Sequence, residues 1–345
     1  MIDAPAAEAE LRDAHGRRIE YLRVSVTDRC NFRCVYCMPL AGLPWLPREH
    51  TLTDDEIVAV VRELAPLGLR RVRLTGGEPT IRPGLVELVA RLKALGTLDD
   101  LSLSTNGTRL VALAPALRAA GLDRVNVSVD SLRPERVAEL ARRREPFDPL
   151  AALDAAERAG LGPVKVNVVV IRGRNDDEVE ALAALTVERP FHVRFIELMP
   201  VGELADAEAA AGRDPLALVL PSDELLARLA AHGRAIGRPL ERAEGPARGN
   251  GPAAYHRFSN AAGTVGVITP MTHTYCGSCN RVRLTADGRL RTCLYGDHEV
   301  PLRDALRAGA PLRPLLLEAL AGKPREHALL ARRTGGLRAL SEVGG

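Results

Sequence analysis

Between Tyr21 and Pro200, six short runs with strand character alternate with stretches of helical period. The strand runs are Tyr21 to Thr27, Arg71 to Thr75, Leu101 to Ser104, Arg124 to Val129, Val164 to Ile171 and Phe191 to Ile196. Strict alternation makes each strand parallel to the one before it, with helices covering the sheet. Six units are too few for the usual eight-stranded closed barrel. The chain is therefore expected to be α/β, with an open, partial (βα)6 TIM-like barrel followed by a smaller C-terminal segment. Helix boundaries support this reading. Thr53-Asp54-Asp55-Glu56 has the form of a capping box, and Pro66-Leu67-Gly68 that of a helix stop.

Parallel strands are normally apolar on both faces. Here one face carries polar groups at spacing two: Arg23 and Ser25, Arg71 and Arg73, Ser102 and Ser104, Asn126 with Ser128 and Asp130, Lys165 and Asn167, and Arg194. Burying so many in a dry core is unfavourable, so they are expected to line a wet lumen that holds a polar ligand. Barrel enzymes place their active sites at the carboxyl ends of the strands, where further polar motifs stand.

The loop leaving the first strand holds Cys30, Cys34 and Cys37 in a C-x3-C-x2-C spacing. Three thiolates can hold a [4Fe–4S] cube by three corners and leave the fourth iron open. A structural zinc site closes with four ligands, and no His or fourth Cys stands close by in sequence. The other three cysteines are Cys276, Cys279 and Cys293. Alone, this second triplet suits zinc and iron–sulfur about equally, since His273 or His298 would close a tetrahedron. Two three-Cys groups in one chain favour two clusters. Beside the second lies Arg281-Val282-Arg283, whose guanidinium groups would share one face of a strand and grip phosphate or carboxylate. A solvated basic face is the usual fate of such a pair. With Arg23, Arg71, Arg73, Lys165 and Arg194 directed at the same lumen, an anion cradle is the better reading. Gly76-Gly77-Glu78-Pro79 follows the second strand; its glycines allow close backbone approach to a ligand, and Glu78 would accept from an amine. The scattered His residues read as surface or locally bonded.

After Met199 the alternation fails. Residues 203–215 read as a loop, Ser222-Asp223-Glu224 as the cap of a short helix through Ala231, and 233–254 as a linker. The expected division is a polar leader over 1–20, the barrel over 21–240, and a second-cluster and substrate-binding segment over 241–345. Aromatic residues are 3% of the chain, so its core must be built from Leu, Val, Ile and Ala. A net charge of +3 is too mild for a nucleic-acid-coating surface. No apolar run approaches the roughly 18 residues of a membrane span. The first twenty residues carry Asp3, Glu8, Glu10 and Glu20 and no apolar h-region, so a secretory signal is not expected. Two triplets that look like metal sites rather than a disulfide framework fit a cytoplasmic, reducing location.

Taken together these motifs resemble the radical S-adenosylmethionine (SAM) superfamily, and within it the GTP 3′,8-cyclase family of molybdenum cofactor biosynthesis. The resemblance spans roughly residues 18–345. It includes Ser25 to Cys34, Lys165 to Val169, Arg194 to Glu197, the second triplet with Arg281 and Arg283, and the closing Gly344-Gly345. It implies a first [4Fe–4S] cluster on Cys30, Cys34 and Cys37 with SAM on its open iron, and a second on Cys276, Cys279 and Cys293 that takes the guanine of GTP. Tyr36, Gly77, Ser128 and Met199 match SAM-contacting positions, with Gly76 and Glu78 in the same turn. Arg23, Arg73, Ser104, Lys165, Arg281 and Arg283 match GTP-contacting positions, and Arg194 joins them from the lumen face. At Ser104 the family commonly has Thr, which keeps the hydroxyl. Arg23, Arg281 and Arg283 are expected to serve catalysis as well.

The implied reaction begins with reductive cleavage of SAM. The resulting 5′-deoxyadenosyl radical removes the ribose C3′ hydrogen, and the carbon radical adds to guanine C8. Implied partners are GTP, a downstream cyclic pyranopterin monophosphate synthase and a reductant such as flavodoxin or ferredoxin. No nucleic acid or membrane is implied, and a homodimer is compatible. Rival readings are a peptide-modifying radical SAM enzyme with an auxiliary cluster, or a non-catalytic iron–sulfur or zinc sensor. The first usually has more C-terminal cysteines; neither needs an arginine-lined lumen. The double-Gly tail is expected to reach back toward the active site.

Overall fold

The six strand runs pair side by side in chain order, and the last third of the chain adds three strands to each edge. The structure is a computed structural model that describes residues 10–246, 251–327 and 338–343. The first six strands are β1 (Tyr21–Ser25), β2 (Arg71–Thr75), β3 (Asp100–Thr105), β4 (Arg124–Ser128), β5 (Lys165–Val170) and β6 (His192–Glu197). Between them run α1 (Asp54–Leu64), α2 (Leu85–Lys93), α3 (Leu110–Ala119), α4 (Pro134–Leu140), α5 (Pro149–Arg158) and α6 (Val179–Glu188). The Thr53 capping box forms as expected. The Thr53 hydroxyl accepts from Glu56 N at 3.2 Å, and the Glu56 carboxylate accepts from Thr53 N at 2.8 Å.

The rest comprises α7 (Glu203–Ala210), α8 (Ser222–Ala235), β7 (Leu240–Arg242), β8 (Ala254–Phe258), β9 (Thr264–Ile268), β10 (Arg281–Leu284), β11 (Arg289–Arg291), β12 (Glu299–Pro301), α9 (Leu302–Arg307) and α10 (Leu312–Ala321). Strand β9 pairs parallel with β6, and β10 pairs parallel with β1. The sheet order is β12-β11-β10-β1-β2-β3-β4-β5-β6-β9-β8-β7, so its ends do not meet and the barrel stays open.

Three expectations about the region after Met199 need correction. Residues 203–215, read as a loop, begin with α7; its Ala-rich sequence favours helix while lacking a clear apolar stripe. Helix α8 runs four residues past Ala231, and Ser222 is its first residue rather than its cap. The Ser222 backbone N–H is satisfied by Glu197 Oε1 at 2.9 Å. The stretch 233–254 contains the end of α8, all of β7 and the first residue of β8.

Alternation sorts the side chains. Leu22 and Val24, Val72 and Leu74, Leu101 and Leu103, Val125 and Val127, Val166 and Val168, and Val193 and Phe195 belong to one continuous core with the helices. The opposite parity builds rows across the sheet. Arg283, Arg23, Arg73, Ser102 and Arg124 stand in register as one row. Ser104, Asn126, Lys165, His192 and Thr264 form the next, and Ser128, Asn167, Arg194 and Gly266 the third. Arg71, expected in the lumen, lies at the amino end of its strand and pairs with Glu20 at 2.7 Å.

The described residues before β1 pack onto the same core. Leu11 and Ile19 are buried, and Leu11 N donates to Leu67 O at 3.0 Å.

Candidate functional site

At the carboxyl ends of the strands lies a cavity of about 220 Å³. Its lining includes all three cysteines of the first triplet, Tyr36, the Gly76-Gly77-Glu78 turn, Ser104, Ser128 and Met199. The sequence predicted each of these as a site residue, and the fold brings them together. The cysteine loop is held from two sides. Arg33 N and Val35 N donate to Ala141 O and Leu140 O at 2.8 and 3.0 Å. On the other side Gly77 N donates to Thr27 O and Glu78 N to Arg29 O, both at 2.8 Å. A Cβ on Gly77 would fall 2.1 Å from Arg29 O, and one on Gly76 would fall 2.4 Å from Thr27 O. The double glycine is therefore required by the backbone just before Cys30.

Glu78 lines the cavity, yet its carboxylate already accepts four bonds. They come from Thr80 N (3.0 Å), Thr80 Oγ1 (2.5 Å), Thr105 Oγ1 (2.7 Å) and Asn106 N (2.6 Å). Its evident work is to join the turn to the end of β3. Asp130 is a cavity residue that the motifs did not single out. It accepts from the Tyr36 hydroxyl at 2.7 Å and from Val169 N at 2.8 Å, and burial raises its carboxyl to about 6. Burial also pushes the Cys30 thiol up to about 11 and Cys37 to about 12. Cys34 rises well above its ordinary value, with neighbouring thiols adding to the effect of burial. The tail returns to this place: Leu340 and Ser341 line the cavity. Gly344 and Gly345 lie outside the described residues.

Below the cavity the lumen is strongly cationic. Arg23, Arg73, Lys165, Arg194 and Arg283 are all less than a tenth exposed. Arg73 Nε donates to Ser102 Oγ at 3.3 Å, and Arg194 Nη2 to Asn167 Oδ1 at 2.5 Å. Burial and the Arg283 charge lower Arg23 to about 9. Burial and Arg281 lower Arg283 to about 10. Burial, then Arg124, Arg194 and Arg73, bring Lys165 down to about 6. Arg124 is fully buried in the same lumen. It makes two bonds to the Asp100 carboxylate at 2.7 and 2.6 Å, a pairing with no sequence signature beyond the polar parity of β3 and β4.

The second triplet, Cys276, Cys279 and Cys293, lies outside the cavity lining but abuts it. The Tyr295 hydroxyl, two residues after Cys293, contacts the Met199 sulfur. Burial opposes ionisation of Cys279, but Arg281 and Lys323 outweigh it and draw this thiol down to about 7. Buried Lys323 lies 3.6 Å from the Cys279 sulfur and donates to Arg281 O and Thr292 O at 3.0 and 2.5 Å. Arg17 Nη1 donates to Cys276 O at 2.7 Å, and Glu197 accepts from Met271 N and Thr272 N, both at 3.0 Å. Lys323, Arg17 and Tyr295 belong to no local motif, so only the fold reveals them. His273 is exposed and faces Asp223 at 3.5 Å. Among the described residues, no three His, Cys, Asp or Glu side chains gather about a single point as one ion would need.

Residues 24–186 match the radical SAM superfamily, and residues 191–329 match the family described as Molybdenum Cofactor Synthesis C. A Pelotomaculum thermopropionicum protein named GTP 3′,8-cyclase is 48% identical over 97% of this chain and 100% of its own length. The chain belongs to the GTP 3′,8-cyclase family of radical SAM proteins. A Heliobacterium modesticaldum protein of the same name is 45% identical, covering 96% of this chain and 99% of that one. Among solved structures, Streptococcus suis SuiB bound to S-adenosylmethionine superposes with a TM-score of 0.55 at 11% identity, over 84% of this chain and 65% of SuiB. That likeness is one of fold. Membership in the radical SAM superfamily brings an iron–sulfur cluster and SAM, and three thiols around one cavity beside a double-Gly turn fit both. No helix among the described residues is long and apolar enough to cross a membrane.

Two outcomes follow from this geometry. Gly77→Ala should displace the Arg29 backbone and with it Cys30, lowering iron bound at the first triplet; iron and sulfide analysis against a variant lacking the second triplet checks this. Lys165 titrates near 10.4 in an unfolded chain but at about 6 in the fold, so the folded state binds fewer protons between those values. Its destabilising effect is full below about pH 6 and fades as pH rises toward about 10.4. Lys165→Met should therefore raise the melting temperature near neutral pH, with a gain that shrinks toward about pH 10.

Proposed function

We propose that this chain is a radical SAM GTP 3′,8-cyclase. It would convert GTP to (8S)-3′,8-cyclo-7,8-dihydroguanosine 5′-triphosphate, an early step of molybdenum cofactor biosynthesis. The observation that carries the reading is the cationic lumen directly beneath the thiol-lined cavity. Arg283, Arg23 and Arg73 stand in one row, with Lys165 and Arg194 in the next two. Buried cations that repel one another gain most from a polyanion, and a nucleoside triphosphate supplies one of suitable length.

In this reading Cys30, Cys34 and Cys37 hold one cluster, and Cys276, Cys279 and Cys293 hold a second. Tyr36, Gly76, Gly77, Ser128 and Met199 surround SAM, with Glu78 bracing the turn. When bound, the first cluster and SAM supply the 5′-deoxyadenosyl radical that takes hydrogen from the ribose. The chain's own work is placement. Arg23, Arg281 and Arg283, with Arg73, Ser104, Lys165 and Arg194, grip the triphosphate and hold the ribose toward the cavity. The apolar walls made by Val137, Leu140, Phe147 and Leu198 keep water from the reacting carbon. Asp130 holds the Tyr36 ring in place through its hydroxyl. The product would pass to a cyclic pyranopterin monophosphate synthase, and electrons would come from a flavodoxin- or ferredoxin-type donor. Six cysteines grouped as two candidate cluster triplets, not as a disulfide framework, support a cytoplasmic location.

The deciding experiment measures 5′-deoxyadenosine formed by the anaerobically reconstituted, reduced protein with SAM and one nucleoside triphosphate at a time. Formation should rise with GTP and not with ATP, CTP or UTP. A slow, nucleotide-independent rate would retain radical SAM chemistry and discard the cyclase; no product from iron-replete protein would favour a binding protein. Lys165 gives a second check. It is largely neutral in the free protein near pH 7 and charged against a triphosphate, so GTP binding should take up a proton. Affinity should then fall as pH rises above about 6, and calorimetry in buffers of different ionisation heat should show uptake that Lys165→Met abolishes.

A further inference from the structure

Lysine is almost never fully buried unless its charge is compensated, yet Lys323, just past the end of α10, is 3% exposed. Its Nζ reaches Thr292 O at 2.5 Å, Arg281 O at 3.0 Å and the Cys279 sulfur at 3.6 Å. An ammonium has three N–H donors and no acceptor. Three acceptors around this one match the charged form, with every donor used.

The partners are not scattered. Arg281 follows Cys279 by two residues, and Thr292 immediately precedes Cys293. One side chain therefore ties together the two separate segments that carry the second triplet. The lysine is itself held from behind. Leu312, Leu316, Ala319 and Leu320 anchor α10 in the core. Arg17 donates to Pro324 O at 2.7 Å and to Arg325 O at 3.0 Å, and its Nη1 also donates to Cys276 O at 2.7 Å. The Asp13 carboxylate, with its side chain 0% exposed, accepts from Arg17 Nε at 2.5 Å and fixes the guanidinium. All three cysteines are thus referred to one frame. The thiols are close enough to act on one another: after burial, Cys293 and Cys279 raise the Cys276 thiol, as three ligands of one cluster would.

A cluster gains an electron on reduction. A fixed positive charge in a dry site and an N–H donor on a ligand sulfur both favour that added electron. Lys323 supplies both at the Cys279 corner.

We propose that Lys323 is the positioning residue of the second cluster: its ammonium joins the two cysteine segments, donates to the Cys279 sulfur and raises the reduction potential of the cluster held there. The inference rests on the second-cluster reading above and adds to it a residue outside every motif of the chain.

The test uses full-length protein with Cys30, Cys34 and Cys37 all replaced by Ala, reconstituted anaerobically so that iron and sulfide load the second triplet alone. The midpoint potential is read by anaerobic redox titration, following the EPR signal of the reduced cluster. Lys323→Gln keeps N–H donors and removes the charge, whereas Lys323→Met removes both. The potential should fall in each, and further in Lys323→Met, while Lys323→Arg should restore most of the difference. In the converse background, with Cys276, Cys279 and Cys293 replaced by Ala, Lys323→Gln should leave the first cluster's potential unchanged. A merely structural lysine would change cluster loading without moving the potential of the clusters that form. An unchanged potential in Lys323→Gln, or an equal fall at the first cluster, would overturn the role. Background protein that bound zinc, or no iron, at the second triplet would remove the second-cluster reading itself, and the role with it.

Discussion

Repulsion among buried cations is the constraint around which this molecule is built. Arg23, Arg73, Lys165, Arg194 and Arg283 share a lumen in which the Asp100 carboxylate is already bonded twice by Arg124. Such a lumen does not hold itself together. It is held by the opposite face of the same strands, where Leu22, Val24, Val72, Leu74, Val166 and Val168 are buried against the helices. Each fully buried side chain of this size contributes about 1.5–3 kcal/mol, similar to the cost of one unpaired buried polar group. The period-two alternation of each strand thus sets stabilising and strained groups back to back, one residue apart. The strain is localised where a polyanion relieves it.

The cysteine loop depends on the same sheet in a different way. It is placed by backbone contacts: Gly77 and Glu78 on one side, Leu140 and Ala141 on the other. These contacts come from the exits of β2 and the region after β4, so the thiols are positioned by the regular part of the fold. The second triplet is placed by single side chains reaching over long distances in sequence, namely Arg17, Glu197 and Lys323.

What was legible in the chain follows this division. The six alternating units, the Thr53 capping box and the first cysteine loop rest on local spacing, and all were readable. Strands β9 and β10 were not, because a strand of four or five residues is recognised as part of a parallel sheet only through its partner, here about 70 and 260 residues away in sequence. Helix α7 lacked an apolar stripe to announce it. The Gly-Gly-Glu-Pro turn was readable as a place but not fully as a role. Gly76 and Gly77 are needed for the backbone of Thr27 and Arg29, and Glu78 is occupied by Thr80, Thr105 and Asn106. Polar parity exposed Asn126 as a lumen residue; that Arg124 donates to its Oδ1 is visible only in the fold.

The placement of β9 and β10 has a consequence for the order in which the protein can be made. A chain emerging from the ribosome through Glu197 has six parallel strands with both outer edges uncovered, and uncovered edges invite association with other chains. One edge is capped when Thr264 to Ile268 emerges, and the other only with Arg281 to Leu284. Strand β10 begins two residues after Cys279. The last edge of the six-stranded sheet is therefore covered in the same stretch of synthesis that delivers Cys276 and Cys279, and β11 and β12 follow to make the final edge.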